Sequence, residues 1–225
     1  FSARPEVLVK NAAYIKRLRE ALNAARARFP RSPTVTYGMG HLSQTSGDCK
    51  AAIRHYEDTI TLQPLHEAAA LQRVVCLGHI GEFVPAIEGA TRIIEREYYN
   101  YPDAFYWRAW NHYQRTDLPM ARADIDSARG ARGGYAGTPG FRIKVLILGG
   151  MIKYDQKQLD LAEVDLSDAV KMDTLNQQCI ARWYYGLVAF SRETWPEAAS
   201  RFATASTCYR NSANMARKEL EAMKT

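Results

Sequence analysis

Five histidines, four cysteines and two close pairs of aspartates are the side chains here whose chemistry comes first to mind. Cys76 and His79 stand three apart, a spacing that would set a thiol and an imidazole on one helical face, both able to meet a metal. A structural zinc site takes about four ligands, and no second local pair joins this one. A core thiol beside a partly exposed histidine is the simpler expectation. Asp124/Asp126 and Asp165/Asp168 offer paired carboxylates for acid–base work, but their helical setting predicts that they lie on solvated faces. Cys49, Cys76, Cys179 and Cys208 form no CxxC pair and are too sparse for a disulfide scaffold. They read as small buried hydrophobes. The glycine-rich GARGGYAGTPG, residues 130–140, is followed by no GK[ST] and preceded by no strand, so the phosphate-loop fingerprints fail on context. It reads as a flexible connector, with Thr138-Pro139 opening the next helix. No HExxH or GxSxG occurs either. The expectation is a chain that is not an enzyme, with no metal, no cofactor and no small-molecule substrate.

Composition narrows the partners. At 225 residues with 47% hydrophobic and 24% charged content, the chain is ordinary for a folded soluble protein. Its longest apolar run, VLILGGMI at 145–152, is far short of the roughly 18 residues of a membrane span. No targeting segment is visible and the chain begins with Phe1, so location stays open. The net charge of +6 comes entirely from residues 1–32, which hold eight basic and two acidic side chains; residues 33–225 hold 22 of each. A balanced body argues against a broad nucleic-acid-binding face.

The elements that must position any site emerge from a repeat. An apolar residue, an alanine three later and apolar or small residues at helical spacing recur in CKAAIRHYEDT, FVPAIEGATRI, LPMARADIDSA, LDLAEVDLSDA and WPEAASRFATA. The alanines are Ala52, Ala86, Ala121, Ala162 and Ala198, spaced by 34, 35, 41 and 36 residues. Twelve residues before them stand Gly40, Val74, Ala109, Gly150 and Gly186, mostly small, which lets a neighbouring helix approach closely. Turns fall between, at SGD 46–48 and GE 81–82. Each unit therefore predicts helix, tight turn, helix, with amphipathic spacing in both helices.

This pattern resembles the tetratricopeptide repeat (TPR) family, most closely in Gly40, Gly47-Asp48, Ala52, Tyr56 and Pro64 of the first unit. Arg73 and Arg108 depart from it, standing where an apolar residue is usual. The resemblance implies an all-α fold, an α-α superhelix (solenoid) of about five helical hairpins at 33–66, 67–100, 102–135, 143–176 and 179–212. Residues 1–32 predict a basic N-terminal capping helix, with Ile15, Leu18, Leu22, Ala25 and Phe29 on its apolar face; membrane contact is expected only through this helix. Residues 213–225 predict a C-terminal capping helix, with Ala216, Leu220 and Met223 turned inward.

In the TPR family the first helix of each pair lines a concave groove. Carried onto this chain, the groove-facing candidates are Tyr37, His41, Tyr106, Trp110, Tyr113, Met151, Tyr154, Trp183 and Phe190. No Lys, Arg or Asn of the kind that clamps a chaperone tail stands at those positions. The expected function is a protein–protein interaction scaffold binding a peptide or protein segment with hydrophobic anchors. Two alternatives stand beside it: self-packing or a homodimer through the aromatic faces, and, less favoured, a nucleic-acid-binding helical repeat. The aromatic run YYNYPDAFYWRAWNHY, 98–113, is expected to split into a core face (Phe105, Ala109, His112) and a groove face (Tyr106, Trp110, Tyr113).

Overall fold

The computed structural model describes residues 5–97, 101–131, 136–175 and 177–222, with side chains from 15 to 214. Tyr98, Tyr99 and Asn100, residues 132–135 of the connector, and the side chains of Ala216, Leu220 and Met223 lie outside the described residues. Among the described residues there are eleven α-helices and no strand. A leading helix, α1 (Pro5–Arg28), precedes five hairpins. These are α2 (Pro33–Thr45) with α3 (Cys49–Leu62), α4 (Glu67–His79) with α5 (Phe83–Glu95), and α6 (Tyr101–Gln114) with α7 (Leu118–Gly130). The last two are α8 (Pro139–Asp155) with α9 (Leu159–Met172), and α10 (Cys179–Ser191) with α11 (Trp195–Ala222). The chain forms two compact units, one of residues 13–136 and one of residues 137–225 together with 1–12.

Side-chain size sets how each hairpin closes. A Cβ built on Gly40 would stand 2.6 Å from the Tyr56 ring, one on Gly150 2.5 Å from Leu166, and one on Gly186 2.6 Å from Phe202. The missing side chain of the first helix is therefore the seat of a bulky one in the second. Ala52, Ala86, Ala121 and Ala162 are fully buried and Ala198 nearly so. Caps fix the helix starts: Asp48 Oδ1 accepts the Ala51 N–H at 2.9 Å, and Thr138 Oγ1 accepts the Phe141 N–H at 3.3 Å ahead of Pro139.

The turn inside every hairpin carries one residue in the left-handed region. Counting each repeat from 33, 67, 102, 143 and 179, it is always the fifteenth: Gly47 (φ +82°), Gly81 (+85°), Thr116 (+62°), Lys157 (+63°) and Glu193 (+60°). Glycine adopts this conformation without penalty; a β-branched threonine does not. Thr116→Gly is expected to raise stability by about 0.5–1 kcal/mol, the relieved strain less the added unfolded-chain entropy of glycine. Urea denaturation midpoints of the two proteins check this.

In the unit of residues 13–136, each helix from α2 to α7 packs on the next, and the first helices of consecutive hairpins, α4 and α6, also touch. Its core gathers Ala52, Ile53, Tyr56, Val74, Cys76, Ala86 and Ile93, with Tyr37 and Trp107 packed against it. In the unit from residue 137 onward, α8 to α11 follow the same order, α10 touching α8 as well. Its core includes Ala162, Leu166 and Val188, with Tyr154, Leu159, Tyr184 and Tyr185 around them.

Two expectations about the ends are corrected. Ile15, Leu18, Leu22 and Ala25 are half-buried as a face of α1, and Leu22 reaches Gly38. Phe29 is not part of that face: it lies beyond the helix and is 62% exposed. Residues 213–222 form no separate cap, because α11 continues unbroken from Trp195 to Ala222. No glycine or proline interrupts it between 197 and 222. Thr138 caps α8 and Pro139 opens it, as the sequence led one to expect, so this helix starts ahead of the repeat frame counted from 143.

Candidate functional site

The first helices of the repeats carry the candidate residues. In the unit of residues 13–136, α2, α4 and α6 are tied by polar and aromatic contacts. The Tyr56 hydroxyl donates to Gln44 Oε1 at 2.5 Å, and Gln44 Nε2 donates to Gln72 Oε1 at 2.9 Å. Burial pushes the Tyr56 phenol well above its ordinary range. Tyr37 stands between Tyr56 and His66, with ring centroids 5.8 and 4.8 Å away. His41, one turn on, is exposed.

On α6, Trp110 and Tyr113 form a tilted pair at 6.3 Å, both half-buried. Tyr106 meets the edge of Trp107 at 5.4 Å, and burial pushes its phenol up to about 12. Trp107 also receives His79 of α4 edge-on at 5.5 Å. Ala109 and His112 are buried as expected, whereas Phe105 is half-buried, edge-to-face with Tyr101 at 6.1 Å and with the Arg108 guanidinium 5.5 Å from its ring. Sequence reasoning missed Asn111. This fully buried amide donates to the Trp107 carbonyl at 2.6 Å and lies where a Cβ on Gly78 would sit.

In the unit from residue 137 onward, Met151 is buried and Tyr154 is half-buried, its ring 5.7 Å from Tyr184 and its hydroxyl 3.1 Å from Ser191 Oγ. Trp183 and Phe190 join two rings of α11. Trp183 lies 4.9 Å from Phe202, and Phe190 lies 6.4 Å from Phe202 and 5.2 Å from Trp195. Of the nine candidates, then, ring contacts join Trp110 to Tyr113 directly, and Trp183 to Phe190 through Phe202.

The carboxylates overturn their expected placement. Asp126 and Asp168 are solvated, but Asp124 and Asp165 are buried. Arg108 forks onto both Asp124 oxygens at 2.6 and 2.9 Å and donates to Thr91 Oγ1 at 2.9 Å. Arg73 likewise pairs with Glu57 of the preceding hairpin at 2.8 Å. Two arginines that depart from the usual apolar residue are therefore ionic ties. Lys153 meets Asp165 at 2.6 Å, and Arg182 meets Asp173, all four side chains out of water. Burial alone would raise the Asp173 carboxyl, but the N–H groups of Gln178 and Gln177 and the Arg182 guanidinium hold it below the usual carboxylate range. Glu163 is treated the same way: burial is outweighed by Arg201 and Arg192, which reach it from α11 and the end of α10. These pairs staple helices to one another.

The cysteines also differ from expectation. Cys179 and Cys208 form a disulfide joining the start of α10 to α11, with Cα atoms 5.4 Å apart. Cys76 is a buried core thiol, as read, with burial and a hydrogen bond to the Cys49 thiol pushing it up, and neighbouring His79 is exposed. Among the described residues, no group of three or more His, Cys, Asp or Glu is placed to hold a metal, and no helix is long and apolar enough to cross a membrane.

No protein-family model matches the chain. A stretch of 86 residues is 31% identical to the probable biofilm formation methyltransferase WspC of Pseudomonas putida, taking in 38% of this chain and 19% of that protein. The chain thus matches less than a fifth of that relative's length. Among solved structures, TTC0263, a thermophilic TPR protein of Thermus thermophilus, superposes with a TM-score of 0.63 at 14% identity, over 86% of this chain and 100% of that one. YrrB, described as a TPR protein with an unusual peptide-binding site, superposes with a TM-score of 0.60 at 14% identity, over 91% of this chain and 98% of that one.

The chain has the tetratricopeptide-repeat fold.

In this TPR array position 8 of the first helix is small and position 24 of the second bulky in Gly40 with Tyr56, Gly150 with Leu166 and Gly186 with Phe202, whereas the second repeat carries Val74 and Ala90 there. Positions 5 and 24 touch in the first and last repeats alike, Tyr37 on Tyr56 and Trp183 on Phe202. The TPR frame thus separates two kinds of aromatic residue. Position 24 belongs to the hairpin core, and positions 5, 9 and 12 lie beside it on the first helix.

Proposed function

We propose that this TPR array is a protein-interaction scaffold whose first helices hold a peptide or protein segment with hydrophobic anchors. The observation that carries the reading is the pair Trp110 and Tyr113, with Tyr106 one turn earlier on the same helix. These rings keep part of their surface in water, while Ala104, Ala109 and Asn111 of α6 are fully buried in packing. Large, rigid, amphipathic rings dominate interface energies because they bury much area at low entropic cost. The peptide-binding site named for YrrB, a structure of the same fold, supports this reading. His41, Met151, Tyr154, Trp183 and Phe190 extend the candidate set to other repeats, Met151 contributing least because it is already buried. No catalytic role is assigned to any residue, and the short match to WspC gives no ground for methyl transfer.

Trp110→Ala is expected to weaken partner binding by about 2 kcal/mol, roughly thirtyfold, with the melting temperature nearly unchanged. A pull-down from cell extract with wild type and the Tyr106/Trp110/Tyr113 triple alanine variant identifies the partner, and calorimetry with that partner measures the loss. If Trp110→Ala instead lowers the melting temperature by many degrees at unchanged affinity, Trp110 is a core residue and the reading fails.

A further inference from the structure

Between α3, α4 and α5 lies a cleft of about 160 Å³. Three arginines converge on it, Arg73 from α4, Arg92 from α5 and Arg96 at the end of α5, and Ile60, Pro64 and Ile93 line it beside them. Counted within the repeat, Arg92 and Arg96 are positions 26 and 30. The other four repeats put Asp58, Ser127, Asp168 and Thr204 at position 26 and an uncharged side chain at position 30. Packing of the hairpins therefore does not call for these cations. Nor does general basicity, since charges from residue 33 onward balance, 22 against 22.

The cleft holds its cations ready for an anion. Arg73 Nε donates to Glu57 Oε1 at 2.8 Å, and Nη2 lies 2.8 Å from the same oxygen. That contact fixes the guanidinium by one edge. It leaves Nη1 at the cleft wall, 3.8 Å from where a Cβ on Gly89 would stand. Arg92 meets Glu88 only at 3.6 Å with both side chains in water, a pairing weak enough for a better acceptor to displace. Arg96 is exposed.

We propose that this cleft binds an organic phosphate monoester, Arg73, Arg92 and Arg96 taking the phosphate and Ile60, Pro64 and Ile93 the carbon body. A carboxylate is satisfied by one guanidinium fork. A phosphate monoester carries close to two charges and three terminal oxygens, enough for three separate guanidinium groups. The phosphodiesters of nucleic acid carry one charge each and call for an extended basic track, which the balanced body lacks. The apolar side chains offer the ester a surface that inorganic phosphate cannot use. This site shares no residue with the Trp110 face and does not depend on the scaffold reading.

The test titrates phenyl phosphate into the full chain in phosphate-free buffer at neutral pH, followed by calorimetry and by the arginine Nε–H signals. Saturable one-to-one binding is expected, with the Arg73 signal shifting. Affinity should fall about tenfold in Arg92→Gln and in Arg96→Gln, each the loss of one charge-assisted contact. Both side chains are exposed, and circular dichroism and melting confirm that the variants fold. Arg115→Gln, which removes an exposed arginine outside the cleft, should bind as wild type does. Benzoate, with the same ring and a carboxylate, and inorganic phosphate, with no ring, should both bind more weakly. A phosphotyrosine peptide that binds more tightly than phenyl phosphate assigns the ester to a protein side chain; weaker binding assigns it to a free small molecule. No saturation in the millimolar range, unchanged affinity in both cleft variants, or an equal loss in Arg115→Gln would overturn the proposal. So would benzoate or inorganic phosphate binding as tightly as phenyl phosphate, or a single-stranded oligonucleotide displacing it at equal phosphate concentration.

Discussion

Asp165→Asn is expected to destabilise the protein by about 3–5 kcal/mol. Lys153 and Asp165 bond at 2.6 Å, with side chains only 8% and 2% exposed. Removing the carboxylate leaves an ammonium in the interior with no compensating charge, and water cannot reach it without opening α8 from α9. The asymmetry is itself testable. Replacing both partners by apolar residues, Lys153→Met with Asp165→Leu, removes the desolvation cost along with the attraction, and is expected to be far milder than either single change. Urea unfolding of the four proteins completes a double-mutant cycle. A loss below about 1 kcal/mol in Asp165→Asn would show that the pair is solvated in solution.

Opening the Cys179–Cys208 bridge is expected to cost about 3–4 kcal/mol, from the loop-closure entropy of a 29-residue span. The bridge ties the first residue of α10 to the middle of α11, and both sulfurs are buried. Its loss acts on the α10–α11 hairpin, which should loosen before the rest of its unit. Melting with and without reductant, against the Cys179→Ala/Cys208→Ala variant, checks this. The reduced wild type and the variant should melt alike, and the oxidised wild type several degrees higher. Equal melting in all three would show that the thiols are not bonded in solution. Because the chain forms two compact units, unfolding should be followed by probes in each, not as one transition.

The repeat was legible because helical hairpins write their period into side-chain size. A small residue at position 8, absent only at Val74, and an alanine twelve later are demanded by close helix approach, and those residues pointed to the five helical hairpins, though not to α11 running on to Ala222. The rest was hidden for identifiable reasons. Asp124 and Asp165 look like ordinary surface acids in a helix; their burial depends on Arg108 and Lys153, twelve to sixteen residues away on the partner helix. The disulfide spans one whole hairpin, a separation no local cysteine motif records. Trp195 and Phe202 were read as periodic apolar positions, which they are; their ring contacts with Phe190 and Trp183 are tertiary and leave no local signature. For the groove set, the pattern identifies the helix face and leaves its occupancy to tertiary contacts: Tyr37 stacks on His66, while Trp183 remains open to water.

The five left-handed turns carry a kinetic consequence. Closing a helical hairpin requires position 15 to visit positive φ, and glycine samples it readily, whereas threonine, lysine and glutamate do so at an energetic cost. The first two hairpins, turning at Gly47 and Gly81, therefore have the lower local barrier to closure. In an array where folding can nucleate anywhere and then propagate, this biases nucleation toward α2–α5. The hairpins turning at Thr116, Lys157 and Glu193 gain less from their own sequence and more from a neighbour already in place. The turn residues thus favour closure of the first two hairpins over the other three.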